Sequence, residues 1–206
     1  MKIYNLIILD ESGSMQSIKQ AAIDSVNETL QSIRAAQKEN EVQEHFVTFV
    51  SFNSSVKRLF DCVSADSVKD LTDKDYCPSC LTALYDAMGM SLTALRERVK
   101  EDDKVLVTIV TDGMENASKE YRGAAIKALV DELKARGWIF AYMGANHDVE
   151  AAAAHISITN VMQFEASIHG ADEMSKKQKY AREGLYKRMS ERSFSAEKEN
   201  LDFFKE

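Results

Sequence analysis

The stretch Asp10-Glu11-Ser12-Gly13-Ser14 places one carboxylate and two hydroxyls at alternate positions. Oxygen donors of this kind suit a hard divalent cation. Mg²⁺ takes about six oxygens in near-octahedral geometry and gives up its waters reluctantly. A glycine between the two hydroxyls lets the backbone curl so that both point inward. The stretch ends an apolar run, Ile3-Tyr4-Asn5-Leu6-Ile7-Ile8-Leu9, that reads as a buried strand. It is half of a cage at the end of a strand, and the rest of the chain must supply the other half.

The elements that position it follow from periodicity. Ile18, Ala22, Val26, Leu30 and Ile33 recur at spacings of three and four, which predicts an amphipathic helix over 17–38. Residues 44–52, rich in aromatic and β-branched side chains, read as a strand. Asn53-Ser54-Ser55 turns the chain into a second strand over 56–63, a hairpin. Residues 65–76 are polar and weakly periodic, a short helix or loop. Leu81, Leu84, Met88, Leu92, Leu95 and Val99 form a strong helical stripe with Thr82 at its start. Residues 104–111 form a continuous apolar run, as in a central parallel strand covered on both faces, and end in Asp112-Gly113. Ala125, Leu129 and Leu133 mark the next helix, with Gly137 placed as its C-terminal cap. A strand over 138–143, a short Ala-rich helix over 149–155 and a strand over 160–164 follow. From Ala171 the composition turns to Lys, Arg, Glu and Ser, with Met174, Ala181, Leu185 and Met189 keeping one helical stripe. The reading is a domain over 1–170 and a C-terminal helical extension over 171–206.

Strands alternating with helices imply an α/β fold with a mostly parallel, doubly wound sheet and helices on both faces. Sites in such sheets lie beyond the C-terminal strand ends where strand order reverses. Asp10 and Asp112 each follow a central-looking strand, so the topology predicts that they meet.

Composition limits the classes of function. With 206 residues, 45% hydrophobic and 29% charged, the chain suits a globular domain with a tail. A net charge of −7 argues against nucleic acid as the main partner, which needs a basic face. The N-terminal apolar run is too short to cross a bilayer and lacks a small-residue cleavage site, so neither a membrane span nor a signal peptide is expected. Three cysteines, an odd number, do not suggest a disulfide framework. A cytoplasmic, reduced protein is the expectation.

Taken together, Asp10, Ser12, Ser14, Thr82 and Asp112 resemble the metal-ion-dependent adhesion site of von Willebrand factor type A domains. That family's pattern is D-x-S-x-S after the first strand, a Thr in a later loop, and an Asp after the fourth strand, often as T-D-G. The chain carries Asp10-Glu11-Ser12-Gly13-Ser14, Leu81-Thr82-Ala83 and Thr111-Asp112-Gly113 in that order. The loop before the Thr, often Gly-rich in the family, reads Pro78-Ser79-Cys80-Leu81 here. The resemblance covers residues 2 to 165. It implies a sheet of about six strands with one antiparallel edge. It also implies a Mg²⁺ or Mn²⁺ ion held by the five residues, with an open coordination position for an Asp or Glu carboxylate of a partner protein. Catalysis is not implied, and stand-alone intracellular members of the family often serve as assembly parts.

Two other chemistries match parts of the pattern. A phosphoryl-transfer enzyme with Asp10 as nucleophile would want a second Asp two residues on, where Ser12 stands. Cys77-Pro78-Ser79-Cys80 has the spacing of a zinc or redox pair, which would make a redox-gated binding module; structural zinc needs four ligands. Glu115, Asn116, Asn146 and His147 fall on predicted C-terminal loops, where they would rim the ion and touch a partner or cap helices.

Overall fold

The computed structural model describes residues 1–146 and 148–205. Six strands form one sheet in the order β3-β2-β1-β4-β5-β6. They are β1 (Lys2–Asp10), β2 (Glu44–Phe52), β3 (Val56–Ser64), β4 (Lys104–Thr111), β5 (Trp138–Gly144) and β6 (Val161–Gln163). All neighbours are parallel except the β2–β3 hairpin at one edge. The fold is the expected doubly wound α/β sheet, with its strand order reversing between β1 and β4.

Central strands read as continuous apolar runs because both faces are covered. On one face lie α1 (Lys19–Glu39) and α5 (Ile168–Met189), packed on Ile3, Ile7, Leu9 and Leu106. On the other lie α2 (Leu84–Arg96), α3 (Gly123–Ala135) and α4 (Val149–His155), packed on Leu6, Ile8, Val107 and Phe140. Successive side chains of a strand point to opposite faces, which assigns Ile7 to one core and Leu6 and Ile8 to the other.

Local chemistry moves several boundaries. The first turn after Asp10 is a 3-10 turn (Gly13–Ile18) that buries Met15 and Ile18, so α1 begins at Lys19. Leu81 is exposed and Thr82 precedes α2, which begins at Leu84. In α3 the core face is Ile126, Val130 and Leu133; Ala125 is exposed and Leu129 only half-buried, a face rotated by one residue from the expected one. Gly137 adopts φ +85° and ends α3 as expected, since a side chain is strained there. Gly13 is not in the left-handed region, so its freedom is not what shapes the Asp10 loop.

The C-terminal segment returns to the domain. Met174, Leu185, Tyr186 and Met189 of α5 share the core with α1, and Phe203 after α6 (Ala196–Asp202) is buried beside them. Each such side chain contributes about 1.5–3 kcal/mol of burial. Asn200 of α6 accepts the Phe140 N–H at 3.1 Å and donates to the Trp138 carbonyl at 2.8 Å. That amide serves the part of the β5 edge that the three-residue β6 leaves open.

Candidate metal centre

Asp10 is the last residue of β1 and is fully buried. Its Oδ1 accepts the Ser12 N–H at 2.7 Å, and its Oδ2 accepts the Thr111 hydroxyl at 2.6 Å. These two bonds fix the carboxylate plane. Burial, with a contribution from the charge of Asp112, holds its carboxyl above the usual carboxylate range, while the Thr111 and Ser12 bonds pull the other way.

Ser14 donates to Asp112 Oδ1 at 2.6 Å, and Ser12 and Ser14 share a hydroxyl–hydroxyl bond of 3.2 Å. The β1 loop and the β4 loop are thereby tied together, as topology predicts. Thr82 joins them from the loop before α2. A Cβ placed on Gly113 would lie 3.4 Å from Thr82 Oγ1, 3.8 Å from Ser14 Oγ and 4.0 Å from Asp10 Oδ2. Oxygens from three separate segments thus surround one small space, and glycine keeps a side chain out of it. Ser12, Thr82 and Asp112 are buried, whereas Gly13 and Ser14 are exposed and Gly113 is half-buried, so the cluster is reached from outside along that side.

The donor set fits a hard divalent ion: two carboxylates and three neutral hydroxyls, all oxygen. Among the described residues no three His, Cys, Asp or Glu side chains gather as metal ligands, which leaves Cys77 and Cys80 without the further ligands a zinc site needs.

A frame of hydrogen bonds surrounds the cluster. Glu11 is buried; its carboxylate accepts the Ser51 hydroxyl and the Cys77 N–H, each at 2.5 Å. The Glu11 carbonyl accepts the Ser79 N–H at 2.8 Å, the Cys80 carbonyl accepts the Gly13 N–H at 3.1 Å, and the Tyr76 hydroxyl donates to the Asp10 carbonyl at 2.5 Å. The 76–80 segment is therefore laid directly on the Asp10 loop, and Thr82 follows from it. No sequence pattern pointed to Glu11, which occupies a variable position of the motif.

On the other side, Glu115 and Asp86 hold the Asp112 loop against the start of α2. Glu115 accepts N–H bonds from Tyr85, Ala117 and Ser118 and the Ser118 hydroxyl. Asp86 accepts N–H bonds from Lys119, Glu120 and Tyr121 at 2.8–2.9 Å. Carboxylates accepting several backbone N–H groups are strong anchors. Asp86 had a signal in sequence, an acidic side chain in the first turn of a helix. Asn116 is exposed, but its Oδ1 accepts the Thr82 N–H at 2.9 Å, and its own N–H bonds the Thr82 carbonyl at 3.0 Å. Glu115 and Asn116 thus adjoin the cluster and serve first to hold Thr82 and α2. Asn146 is exposed at φ +57° in the loop after β5, and the remaining expected rim position, His147, lies outside the described residues. Leu81 and Met114, one on each loop, stand 56% and 68% exposed beside the cluster.

The family model for the von Willebrand factor type A domain matches residues 6–175. No curated protein matches the chain. Among solved structures it is similar to proximal thread matrix protein 1 from the mussel byssus, with 17% identity and a TM-score of 0.59 over 85% of this chain and 44% of that one. Another structure of that mussel protein has a zinc-occupied MIDAS motif. It is also similar to a von Willebrand factor type A protein from Catenulispora acidiphila, with 12% identity and a TM-score of 0.61 over 89% of this chain and 43% of that one. A third likeness is to the PilB minor pilin from Streptococcus sanguinis, with 12% identity and a TM-score of 0.61 over 89% of this chain and 61% of that one. The chain thus spans between 43% and 61% of the length of these proteins, and at such identities the likeness is one of fold.

Proposed function

Because the chain belongs to the von Willebrand factor type A domain family, whose members are metal-dependent protein-interaction modules, we propose that it docks an acidic side chain of a partner protein through a divalent ion. The ion, Mg²⁺ or Mn²⁺, is held by Asp10, Ser12, Ser14, Thr82 and Asp112. When bound, it offers a coordination position to a carboxylate oxygen of an Asp or Glu from outside. The observation that carries the proposal is the convergence of Thr82, Ser14 and Asp10 oxygens on the space beside Gly113. Two carboxylates offset the charge of a divalent cation while neutral hydroxyls complete the shell, which suits an ion that exchanges an outer ligand.

The protein acts by binding rather than by catalysis. Both Asp10 oxygens are engaged, by the Ser12 N–H and the Thr111 hydroxyl, which suits a fixed ligand better than a nucleophile. A place in a cytoplasmic assembly belongs to the same reading; all three cysteines are free, which fits a reducing compartment.

The experiment is affinity capture of partners from a lysate with and without chelator, alongside calorimetry of Mg²⁺ and Mn²⁺ binding. Partners lost on chelation and regained on adding the ion are the expected result. Capture of the same partners in both conditions would remove the ion from the contact.

A further inference from the structure

Cys77 and Cys80 are both exposed, unlike the half-buried Cys62, and they flank the two residues laid on the Asp10 loop. Each is pinned to that loop through its backbone. The Cys77 N–H donates to Glu11 Oε1 at 2.5 Å, and the Cys80 carbonyl accepts the Gly13 N–H at 3.1 Å. Between them the Ser79 N–H donates to the Glu11 carbonyl at 2.8 Å. Thr82 lies two residues beyond Cys80; its own backbone is held by Asn116, so it joins the tethered segment at one end and the Asp112 loop at the other. The Cys77 sulfur is turned back toward the preceding turn, 3.9 Å from the Asp73 carbonyl oxygen and 3.8 Å from that of Lys74. Cys80 sits at φ +65°, a region that costs a residue with a Cβ about 1 kcal/mol or more.

We propose that Cys77 and Cys80 are a redox-active dithiol, and that their oxidation to a disulfide opposes ion binding at the Thr82 cluster. The linkage rests on the reading that the cluster holds a divalent ion. The oxidant is a low-molecular-mass disulfide such as oxidised glutathione. One cysteine sulfur attacks it, forming a mixed disulfide and releasing one glutathione thiol. The second cysteine then displaces the other glutathione, closing the Cys77–Cys80 bond. Two thiols are oxidised, one disulfide is reduced, and two protons pass to the two glutathione thiols.

The opposition has a geometric cause. A disulfide draws the two Cα atoms to roughly 4.4–6.8 Å with a fixed torsion. From the present arrangement the Cys77 sulfur must leave the Asp73–Lys74 carbonyls and swing toward Cys80. Both cysteines are tethered at their backbones, one to Glu11 and one to Gly13. Closure therefore acts on a segment tied by its backbone to the loop that carries Asp10, Ser12 and Ser14. An ion in the cluster favours the tethered loop, and the disulfide favours another. Linkage requires each to weaken the other by the same factor.

The test uses the full chain equilibrated in glutathione buffers of stepped oxidised-to-reduced ratio, with and without saturating Mn²⁺. Disulfide content is read by thiol alkylation and mass. The expected result is a midpoint displaced to more oxidising ratios by at least about fivefold when Mn²⁺ is present, with oxidised protein binding Mn²⁺ weaker by the same factor. Asp112→Ala should still form the disulfide but show no displacement. The pair Cys77→Ser and Cys80→Ser should keep full Mn²⁺ affinity at every glutathione ratio. Equal midpoints with and without Mn²⁺, in a chain that binds Mn²⁺ when reduced, would overturn the linkage alone, as would absence of any Cys77–Cys80 disulfide. If the reduced chain binds no Mn²⁺, the ion-site reading fails and the linkage falls with it.

Discussion

Strands β1 and β4 build two polar clusters, and the two are opposites. At their C-terminal ends, Asp10, Thr111 and Asp112 gather with Ser12, Ser14 and Thr82, a cluster of carboxylates and hydroxyls open along Gly13 and Ser14. Nearer their middle, Asn5 and Thr108 face α5, where Arg182 is 1% exposed. Arg182 donates to the Thr108 hydroxyl at 3.1 Å and to the Tyr186 hydroxyl at 3.4 Å, and its Nε has no hydrogen-bond partner among the described residues. Among the described residues no carboxylate pairs with it. The first cluster holds negative charge where a cation from outside can reach it. The second holds positive charge sealed beneath a helix, eased by the hydroxyl dipoles of Thr108 and Tyr186. Burial alone does not mark a binding site; what separates the two is access together with the sign of the charge.

The largest expected effect separates the clusters by what they bind. Asp10→Asn keeps the shape and the Ser12 N–H bond but removes the charge. Divalent-ion affinity should fall by about a hundredfold or more by calorimetry, since loss of an outer-shell partner alone costs 10–100-fold. Stability of the ion-free protein should hold or rise, because burial and Asp112 both disfavour the charged Asp10. A variant that loses stability yet binds the ion normally would make Asp10 a structural residue.

The open cluster was legible in sequence, the sealed one was not, and the reason is physical. A binding site at strand ends leaves its donors next to clear apolar runs, as with Asp10 after Ile7-Ile8-Leu9 and Asp112 after Ile109-Val110. The strands themselves were readable for the same reason, down to β2 at 44–52. The resemblance supplied Thr82, which no spacing alone would have joined to the others. Interior polar residues give a weaker trace. Gln178 and Arg182 continue the Met174–Leu185–Met189 stripe at spacings of three and four and are buried with it, yet a polar residue on a stripe reads as its edge. The rotated face of α3 was lost because apolar residues run past the edge of its core face: Ala125 and Leu129 stand next to Ile126 and Val130. The Glu11 carboxylate acts through bonds to residues 40 and 66 positions away. Such contacts leave no local pattern.

The sealed cluster makes its own prediction with pH. His45 is fully buried; Asn5 faces its Nδ1 at 3.4 Å, and its Nε2 bonds Gln43 Oε1 at 3.1 Å. Burial, with the nearby Arg182 charge, lowers its pKa to about 4. The folded protein therefore keeps His45 neutral while the unfolded chain takes up a proton from about pH 6.5 downward. The stabilisation is fully present above pH 6.5 and is lost as pH falls through the window down to about 4. The loss approaches about 3 kcal/mol, at 1.36 kcal/mol per pKa unit. Urea unfolding across that window should show it, and His45→Gln should flatten the slope. A slope that His45→Gln leaves unchanged would assign the titration to other groups.

The smallest effect tests whether the clusters are independent. Tyr186 donates its hydroxyl to Asn5 Oδ1 at 2.5 Å and sits edge-on to His45 with ring centroids 4.7 Å apart. Tyr186→Phe keeps the ring contact but leaves Asn5 Oδ1 without that donor and removes an acceptor from Arg182. The expected cost is about 1–2 kcal/mol of stability, the penalty for a buried acceptor left unmet. Asn5 and Asp10 stand five residues apart on one rigid strand, with no bond in common. The stability changes of Tyr186→Phe and Asp10→Asn should therefore add within about 0.5 kcal/mol in the double variant. Ion affinity should be unchanged in Tyr186→Phe alone. A coupling larger than that, or a shifted ion affinity, would mean that β1 carries strain from the helix-covered cluster to the open one.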